Sequence, residues 1–371
     1  MDFKQYLRWM LISILIALAF IGAANALIDP FGILQNSRFK EAIGSRLAKA
    51  QQLRSGIWDV ILLGNSRVEV GLDPQHPGWH GARVYNAGLP GAVFDEIDRA
   101  ARLTFGAHPP QRIVLCVDLS DFDARRTEPE EDSLTLLNAS LNCVDYRLGT
   151  LISISALQKS IATIKNRFQS RPAGDWRLGE MDEPLVNHGA ADWALTNYYD
   201  FSGAEGATAG LYLDSHRMQK LETLLDDASA RGIKVDLVIL PTHVIFFQRL
   251  ILAGKWDLYA QWLTELTKIV DRQNQQFPND PATFWDFSEY SKFTTEPYPH
   301  AGQTHTDMRW YWDPGHFKKE LGNLVLDRLT NSPAPPGEDI SNFGVRLNRQ
   351  NLQQFLSELS QSVNKGNHAP S

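Results

Sequence analysis

The sequence is poor in cysteine, which limits how the chain can be stabilised. Its 371 residues include only two cysteines, Cys116 and Cys143, and two cysteines do not define a disulfide framework. A bond between them stays open, because an oxidising compartment would allow it. Neither cysteine has the spacing of a zinc site, and we expect neither a metal nor a cofactor.

The sequence also lacks an excess of positive charge. Its formal net charge is -7 at pH 7, which excludes the strongly basic class of nucleic-acid-binding proteins. With 43% hydrophobic and 21% charged residues, the composition is that of an ordinary globular protein. The length suits one large domain with insertions or two small domains.

Long apolar runs are scarce, and only one reaches the length of a membrane span. Residues 9–28 contain no charged side chain, and a helix of this length crosses the hydrocarbon core of a bilayer. Lys4 and Arg8 precede the run, as in a signal anchor. Residues 24–26 also fit the small-x-small cleavage site of a signal peptide. We favour a retained anchor, because the run is longer than the apolar part of a usual signal peptide.

The charges around this segment give a mixed indication of its orientation. Basic residues also follow the span, and by loop charge alone they favour the reverse topology; they are Arg38, Lys40, Arg46, Lys49 and Arg54. Long downstream domains, however, are translocated largely regardless of charge. We therefore expect a single-pass protein of the bacterial inner membrane, with its soluble body in the periplasm.

The remainder of the chain alternates between strand and helix patterns. Strands are predicted at 58–63, 83–85, 112–119, 233–240 and 283–287, and helices at 92–105, 218–230, 256–273 and 317–329. Such alternation indicates an α/β fold whose parallel sheet is covered on both faces. In these sheets the ligand site lies at the carboxyl ends of the strands.

The prediction divides the chain into four parts. They are an anchor or signal segment at 1–30, a connecting helix within 31–57, a catalytic domain at 58–330, and a tail at 331–371 with one helix at 349–359. An insertion at about 121–215 interrupts the catalytic domain and is expected to cap the site. Its aromatic residues either contact substrate or pack inside the cap; they are Trp193, Tyr198, Tyr199 and Phe201.

Ser66 is the candidate nucleophile. It stands two residues after Gly64, at the end of the first predicted strand. A serine there is exposed at the sheet edge, where backbone N–H groups can hold an oxyanion. Residue 68 is Val, so the chain lacks the G-x-S-x-G elbow of α/β-hydrolases. The alternative role of this serine is to cap the following turn.

Asp313 and His316 are the candidate partners of that serine. An imidazole has a pKa near neutrality and can accept the serine proton, and a carboxylate can hold it in the required tautomer. The Pro314-Gly315 turn can bring the two side chains together. The alternative roles are a helix cap for Asp313 and a surface position for His316. A metal site is a further alternative, because the same segment also holds His300, His305 and Asp307.

Three short blocks, in this order, resemble the SGNH or GDSL-like hydrolase superfamily. They are Gly64-Asn65-Ser66, with Asn65 where the namesake motif has Asp, then Asn86-Ala87-Gly88, then Asp313 with His316. The resemblance implies a three-layer α/β/α fold with a parallel flavodoxin-like sheet, here with an N-terminal transmembrane helix and an inserted cap. The anchor and the Gly-x-Ser-Arg form look more like the branch containing DltD and the alginate O-acetylation proteins.

The resemblance also implies roles for individual residues. Ser66 would be the nucleophile, His316 the general base and later acid, and Asp313 the residue that orients His316. The backbone N–H groups of Ser66 and Gly88 would form part of the oxyanion hole.

One block departs from the superfamily pattern. The superfamily supplies an Asn side chain to the oxyanion hole after the third strand, and Asp118 stands in this place. An ionised carboxylate has no hydrogen to donate. The side-chain donor to the oxyanion would therefore be Asn65 or Arg67, or the site would lack one. The candidates for shaping the site or binding substrate are Asn65, Arg67, Asn86, Asp118 and His243; His243 is equally well read as a loop histidine.

Two functions follow from this reading. The first is a serine-dependent ester hydrolase or O-acyltransferase that forms an acyl-serine intermediate. As in the branch named above, its substrate would be a cell-envelope or exported polysaccharide, or another acylated envelope component, beside a membrane-bound O-acyltransferase. The alternative is a non-catalytic accessory protein that binds the polymer or that acyltransferase.

Overall fold

The computed structural model describes most of the chain outside four long gaps. The described residues are 2–30, 34, 46–106, 108–128, 148–149, 151–167, 211–279, 281–297 and 308–366. The predicted aromatic residues of the insertion, the segment with His300, His305 and Asp307, and Cys143 lie outside them. So do residues 31–33 and 35–45, where the predicted connecting helix would begin.

A six-stranded sheet forms the centre of the protein. Its strands are β1 (Val60–Asn65), β2 (Val84–Leu89), β3 (Arg112–Cys116), β4 (Lys234–Ile239), β5 (Thr283–Asp286) and β6 (Val345–Arg346). They lie in the order β2-β1-β3-β4-β5-β6. The first five are parallel, and β6 pairs antiparallel with β5. The α/β class and the parallel sheet predicted from the sequence are thereby confirmed.

Ten α-helices are found within the described residues. They are α1 (Phe3–Ile28), α2 (Arg46–Ser55), α3 (Ser66–Gly71), α4 (Phe94–Leu103), α5 (Ile154–Arg167), α6 (Ser215–Ser229), α7 (Val244–Leu252), α8 (Trp256–Gln276), α9 (Lys319–Thr330) and α10 (Leu352–Gly366). The helix α1 is long and apolar enough to cross a membrane.

Both faces of the sheet are buried, which is why its strands read as continuous apolar runs. In β1, Ile61 and Leu63 point into one core, packed against α4, α6 and α8. Val60 and Leu62 point into the other core, which α3 and α9 cover. The protein therefore has three layers, with helices on both sides of the sheet.

The structure corrects several predicted boundaries. The strand β2, predicted to end at residue 85, continues through Asn86-Ala87-Gly88, because β1 pairs with it as far as Leu89. The turn follows at residues 89–92, where Gly91 has φ 67°, a value that favours glycine after a proline. The connecting helix is described only from Arg46. Neither α7 nor the two-residue strand β6 was predicted.

A close approach between α3 and α9 joins the beginning of the domain to its end. The ring of Phe317 lies against Gly71, and a Cβ built on Gly322 would stand 1.7 Å from the carbonyl oxygen of Gly71. Only a glycine fits at such a distance. Since Ser66 starts α3 and His316 precedes α9, this contact fixes the two chain segments relative to each other.

We predict that Gly322→Ala lowers the free energy of unfolding by about 2–3 kcal/mol, because the added methyl group overpacks this contact. Thermal and urea unfolding of the purified chain would measure the loss. Gly106→Ala is the matched control, since a Cβ there meets no atom within 4 Å, and its effect should stay below about 0.5 kcal/mol. Equal effects of the two substitutions would contradict the packing account.

Candidate active site

Ser66 lies at the carboxyl end of the strand β1, beside the point where the strand order reverses between β1 and β3. Ligand crevices of open α/β sheets form at such points. The preceding Asn65 caps α3, because its side-chain oxygen accepts a hydrogen bond from the N–H of Arg67 at 3.0 Å. The N–H of Ser66 belongs to the first helical turn, where such groups have no partner inside the helix.

A chain of two hydrogen bonds links the three predicted triad residues. The Ser66 Oγ lies 2.9 Å from His316 Nε2, and His316 Nδ1 lies 2.8 Å from Asp313 Oδ2. The second carboxylate oxygen of Asp313 accepts the backbone N–H groups of Gly315 at 2.7 Å and His316 at 2.9 Å. Because an ionised carboxylate only accepts, Nδ1 carries the proton and Nε2 presents its lone pair to the hydroxyl.

The loop that carries Asp313 and His316 is held from both sides. Glu296 accepts the backbone N–H of Trp310 at 2.8 Å, and Lys318 donates its own N–H to the Trp310 carbonyl at 2.7 Å. The ring of Tyr311 is buried and meets His243 edge-on, with ring centroids 5.2 Å apart. The imidazole is therefore placed by a fixed loop, although its own side chain is one-third exposed.

His243 caps the helix α7. Its Nδ1 accepts the N–H of Ile245 at 3.3 Å, and its Nε2 donates to the Glu296 carbonyl at 2.7 Å. Burial lowers its pKa and keeps the ring neutral. In the structure this histidine supports the loop with Tyr311 and Trp310.

Arg67 and Asn65 both contact the carboxylate of Asp118. Arg67 forms a salt bridge with it, and Asn65 donates to it at 2.6 Å and to Asp121 at 3.1 Å. The Arg67 guanidinium also donates to the Leu240 carbonyl and to Thr242 Oγ1. These bonds tie together the ends of β1, β3 and β4. Both side-chain hydrogens of Asn65 are thus used in the fold.

Asp121 is the buried member of this group. Burial, together with the adjacent charge of Asp118, raises the pKa of Asp121 to about 7. Its Oδ2 accepts the Asp118 N–H at 2.8 Å, so the two residues form a capping box around the turn after β3. Asp118 therefore shapes this turn, and its carboxylate oxygens are engaged by Asn65 and Arg67.

The structure corrects the expected part of Gly88 in the oxyanion hole. Gly88 is still within β2, and its N–H donates to Asn86 Oδ1 at 3.0 Å. The Nδ2 of Asn86 in turn donates to the carbonyls of Val68 at 2.8 Å and Leu72 at 2.9 Å, at the end of α3. Asn86 thus fastens α3 to the sheet, and the N–H of Gly88 is already occupied.

The turn after β2 passes the same edge of the sheet as Ser66. Residue 89 pairs with residue 65 across the parallel strands, so Pro90 and Gly91 continue beside the start of α3. Arg46 donates to the Pro90 carbonyl at 2.6 Å, and Arg126 donates to the Gly91 carbonyl at 2.8 Å. Two separate elements therefore fix the orientation of these peptide groups.

A buried ion pair that the sequence did not reveal lies beneath the site. Lys49 on α2 and Glu69 on α3 are both fully buried, and their charged groups are 2.6 Å apart. Lys49 also donates to the Gly88 carbonyl. Burial raises the pKa of Glu69, an effect opposed by the charges of Lys49 and His316. The carboxylate of Glu69 thus lies within electrostatic reach of the candidate base.

Sequence patterns gave no signal for this pair. Ser66 and Glu69 have the spacing of an ordinary capping box, and Lys49 stands out in the sequence only as one of the basic residues that follow the apolar span. Within the described residues, no group of three or more histidine, cysteine or acidic side chains is arranged to hold a metal ion.

Comparisons with family models, with curated proteins and with solved structures found no match to this chain. The functional argument therefore depends on the geometry of the site.

We predict that Lys49→Met lowers the free energy of unfolding by about 3–5 kcal/mol, because it leaves the Glu69 carboxylate buried without a counter-charge. The double variant Lys49→Met/Glu69→Met should recover most of this loss. Lys268→Met is the control, because its pair with Glu265 is about half exposed and is worth at most about 0.5 kcal/mol. Urea unfolding distinguishes these cases, and a double variant as unstable as Lys49→Met would contradict the pairing.

Proposed function

We propose that the protein is a serine-dependent acyl ester hydrolase or O-acyltransferase that works through an acyl-Ser66 intermediate. The observation that carries the proposal is the chain of hydrogen bonds from Ser66 through His316 to Asp313. Isolated serines, histidines and acids are common, but this order of contacts is the one that nucleophilic acyl transfer requires.

The proposed reaction has two steps. In the first, Ser66 Oγ attacks the acyl carbonyl carbon while His316 Nε2 takes the hydroxyl proton, and Asp313 stabilises the imidazolium. The bond to the leaving alcohol then breaks, and the alcohol leaves with the proton from Nε2. In the second step, water or a sugar hydroxyl gives its proton to Nε2 and attacks the acyl carbonyl carbon. The bond from that carbon to Ser66 Oγ then breaks, Oγ takes the proton from Nε2, and the free acid or the new sugar ester leaves.

The oxyanion would be held by backbone groups. The N–H of Ser66 is suited to this role because it points out of the first turn of α3. We assign Gly91 as a second donor in place of Gly88. In a trans peptide the carbonyl and N–H point in opposite directions, so the bond from Arg46 to the Pro90 carbonyl sets the direction of the Gly91 N–H.

The strand order supports an SGNH-type fold for this enzyme. The parallel strands run 2-1-3-4-5, which is the flavodoxin-like order. The membrane-length helix α1 supports placing the site beside a bilayer, and an N-terminal anchor with a large translocated body favours the bacterial periplasm. The resemblance to the branch containing DltD and the alginate O-acetylation proteins implies the proposed substrate, an acylated cell-envelope or exported polysaccharide, and the proposed partner, a membrane-bound O-acyltransferase.

We predict that the purified full-length chain cleaves p-nitrophenyl acetate and that Ser66→Ala and His316→Ala each lower kcat/KM by at least about 1,000-fold. Asp313→Asn should lower it by about 100- to 10,000-fold, because the imidazole then loses its correct tautomer. Release of p-nitrophenol measures the rates.

Ser120→Ala is the matched control for the loss of a hydroxyl group. Ser120 lies in the turn after β3 at the same sheet edge, and its backbone carbonyl, not its hydroxyl, holds Arg126. Its rate should stay within about twofold of the parent chain. Activity that survives Ser66→Ala would overturn the assignment of the nucleophile.

One observation favours the alternative of a non-catalytic accessory protein. Asp118 occupies the place of an expected amide donor and is held by Arg67 and Asn65. An accessory protein would use the same edge only to bind polymer or the acyltransferase. We expect a deletion strain carrying Ser66→Ala to have an altered acyl content of its polysaccharide, lower for a transferase and higher for a hydrolase, as measured by mass spectrometry. Full complementation by Ser66→Ala would establish the accessory role instead.

A further inference from the structure

The helix α5 packs against the last turns of α1. The Asn25 side chain in α1 is fully buried: its Nδ2 donates to the Leu151 carbonyl at 2.6 Å, and its Oδ1 accepts the Ser160 hydroxyl at 2.8 Å. A Cβ added to Gly22 would touch Ile152 at 3.4 Å. The membrane-length helix is therefore a structural partner of the inserted segment.

These contacts lie within the apolar run of α1, a few residues before its C-terminal end at Ile28. The charge-free run ends at Ile28, and Gly22 lies six residues earlier, which corresponds to about 9 Å along a helix. Amphipathic helices in a membrane interface are buried by about 5–10 Å. If α1 spans a bilayer, α5 consequently lies at the depth of the headgroups and the first part of the acyl chains.

The side chains of α5 divide into three arcs around its axis, at about 100° per residue. One arc consists of small buried residues that face α1, namely Ala156, Ser160 and Thr163. A second is apolar, and consists of Ile154, Leu157, Ile161 and Ile164. The third is polar or small and lies opposite the second; it consists of Ser155, Gln158, Lys159 and Ala162.

The apolar arc is exposed although the protein has a large core. Ile154 is 69% exposed and Ile161 58% exposed. Because α1 covers the small-residue side, the apolar arc and the polar arc are the two flanks of α5 that α1 leaves uncovered. This three-way division matches a helix that lies beside a span, with lipid on one flank and water on the other.

We propose that α5 is an interfacial membrane helix, which inserts Ile154, Ile161 and Ile164 among phospholipid acyl chains next to α1. The occupant of this surface is lipid, because the apolar arc continues the lipid-facing surface of the span at the same depth. The helix gives the body a second membrane contact, and it holds the inserted segment at the bilayer surface. The inference is independent of the proposed acyl transfer.

Nitroxide labels on the full-length chain test this placement. The chain, with Cys143→Ser and with Cys116 left buried, is reconstituted into phosphatidylcholine and phosphatidylglycerol vesicles. Single labels are placed through Ile161→Cys, Ile154→Cys and Lys159→Cys, with Ile14→Cys as the reference within α1. Oxygen collects in the hydrocarbon and a nickel chelate stays in water, so their relaxation effects report the surroundings of each label.

We expect the labels at 161, 154 and 14 to be more accessible to oxygen than to nickel, and the label at 159 to show the reverse. The ratio at 161 should exceed that at 159 at least about tenfold. Equal nickel access at 161 and 159 would overturn the proposal, as would a water-exposed label at 14. Spin–spin broadening at 161 that depends on the protein-to-lipid ratio would overturn it in favour of a second copy of this chain.

Discussion

The contact between Gly71 and Gly322 is the constraint on which the site depends. Ser66 and His316 are far apart in the chain, and each is carried by a short segment that ends in a helix. Their hydrogen bond of 2.9 Å exists because α3 and α9 meet backbone to backbone, with Phe317 packed into the contact. The position of Ser66 relative to His316 is thus set by packing in the core beneath the sheet edge, and we expect a methyl group added at this contact to shift the Ser66 hydroxyl.

Polar groups around Ser66 mostly stabilise the edge of the sheet. Asn65, Arg67 and Asp118 bond to one another, and Asn86 holds the end of α3. Each buried polar group needs a partner, so these side chains are used in joining strand ends. The proposed oxyanion donors are backbone N–H groups, one of them in the turn whose carbonyls accept from Arg46 and Arg126. Lys49, like Arg46, belongs to α2, so this helix takes part in building the candidate site.

Much of the fold could be predicted because burial and periodicity are local signals. The strands β1 to β5 and the helices α4, α6, α8 and α9 follow from apolar runs and 3.6-residue patterns, and the spacing of Asp313 and His316 predicted their contact. The length of β2 could not be predicted, since pairing with β1 extends it through Gly88. The burial of Lys49 and Glu69 could not be predicted either. A buried charge is tolerated only beside a counter-charge, and the two residues become neighbours only in the folded protein. Predictions that fall on residues outside the described ranges stay predictions.

The central claim is that the Ser66 hydroxyl is activated by His316. The most direct measurement is covalent labelling of the full-length chain with a fluorophosphonate, followed by mass spectrometry of its peptides. The account predicts a single adduct on Ser66 of the intact protein, and at least about a hundredfold slower labelling of His316→Ala. An adduct on another serine, or labelling of Ser66 at the same rate without the imidazole, would contradict it.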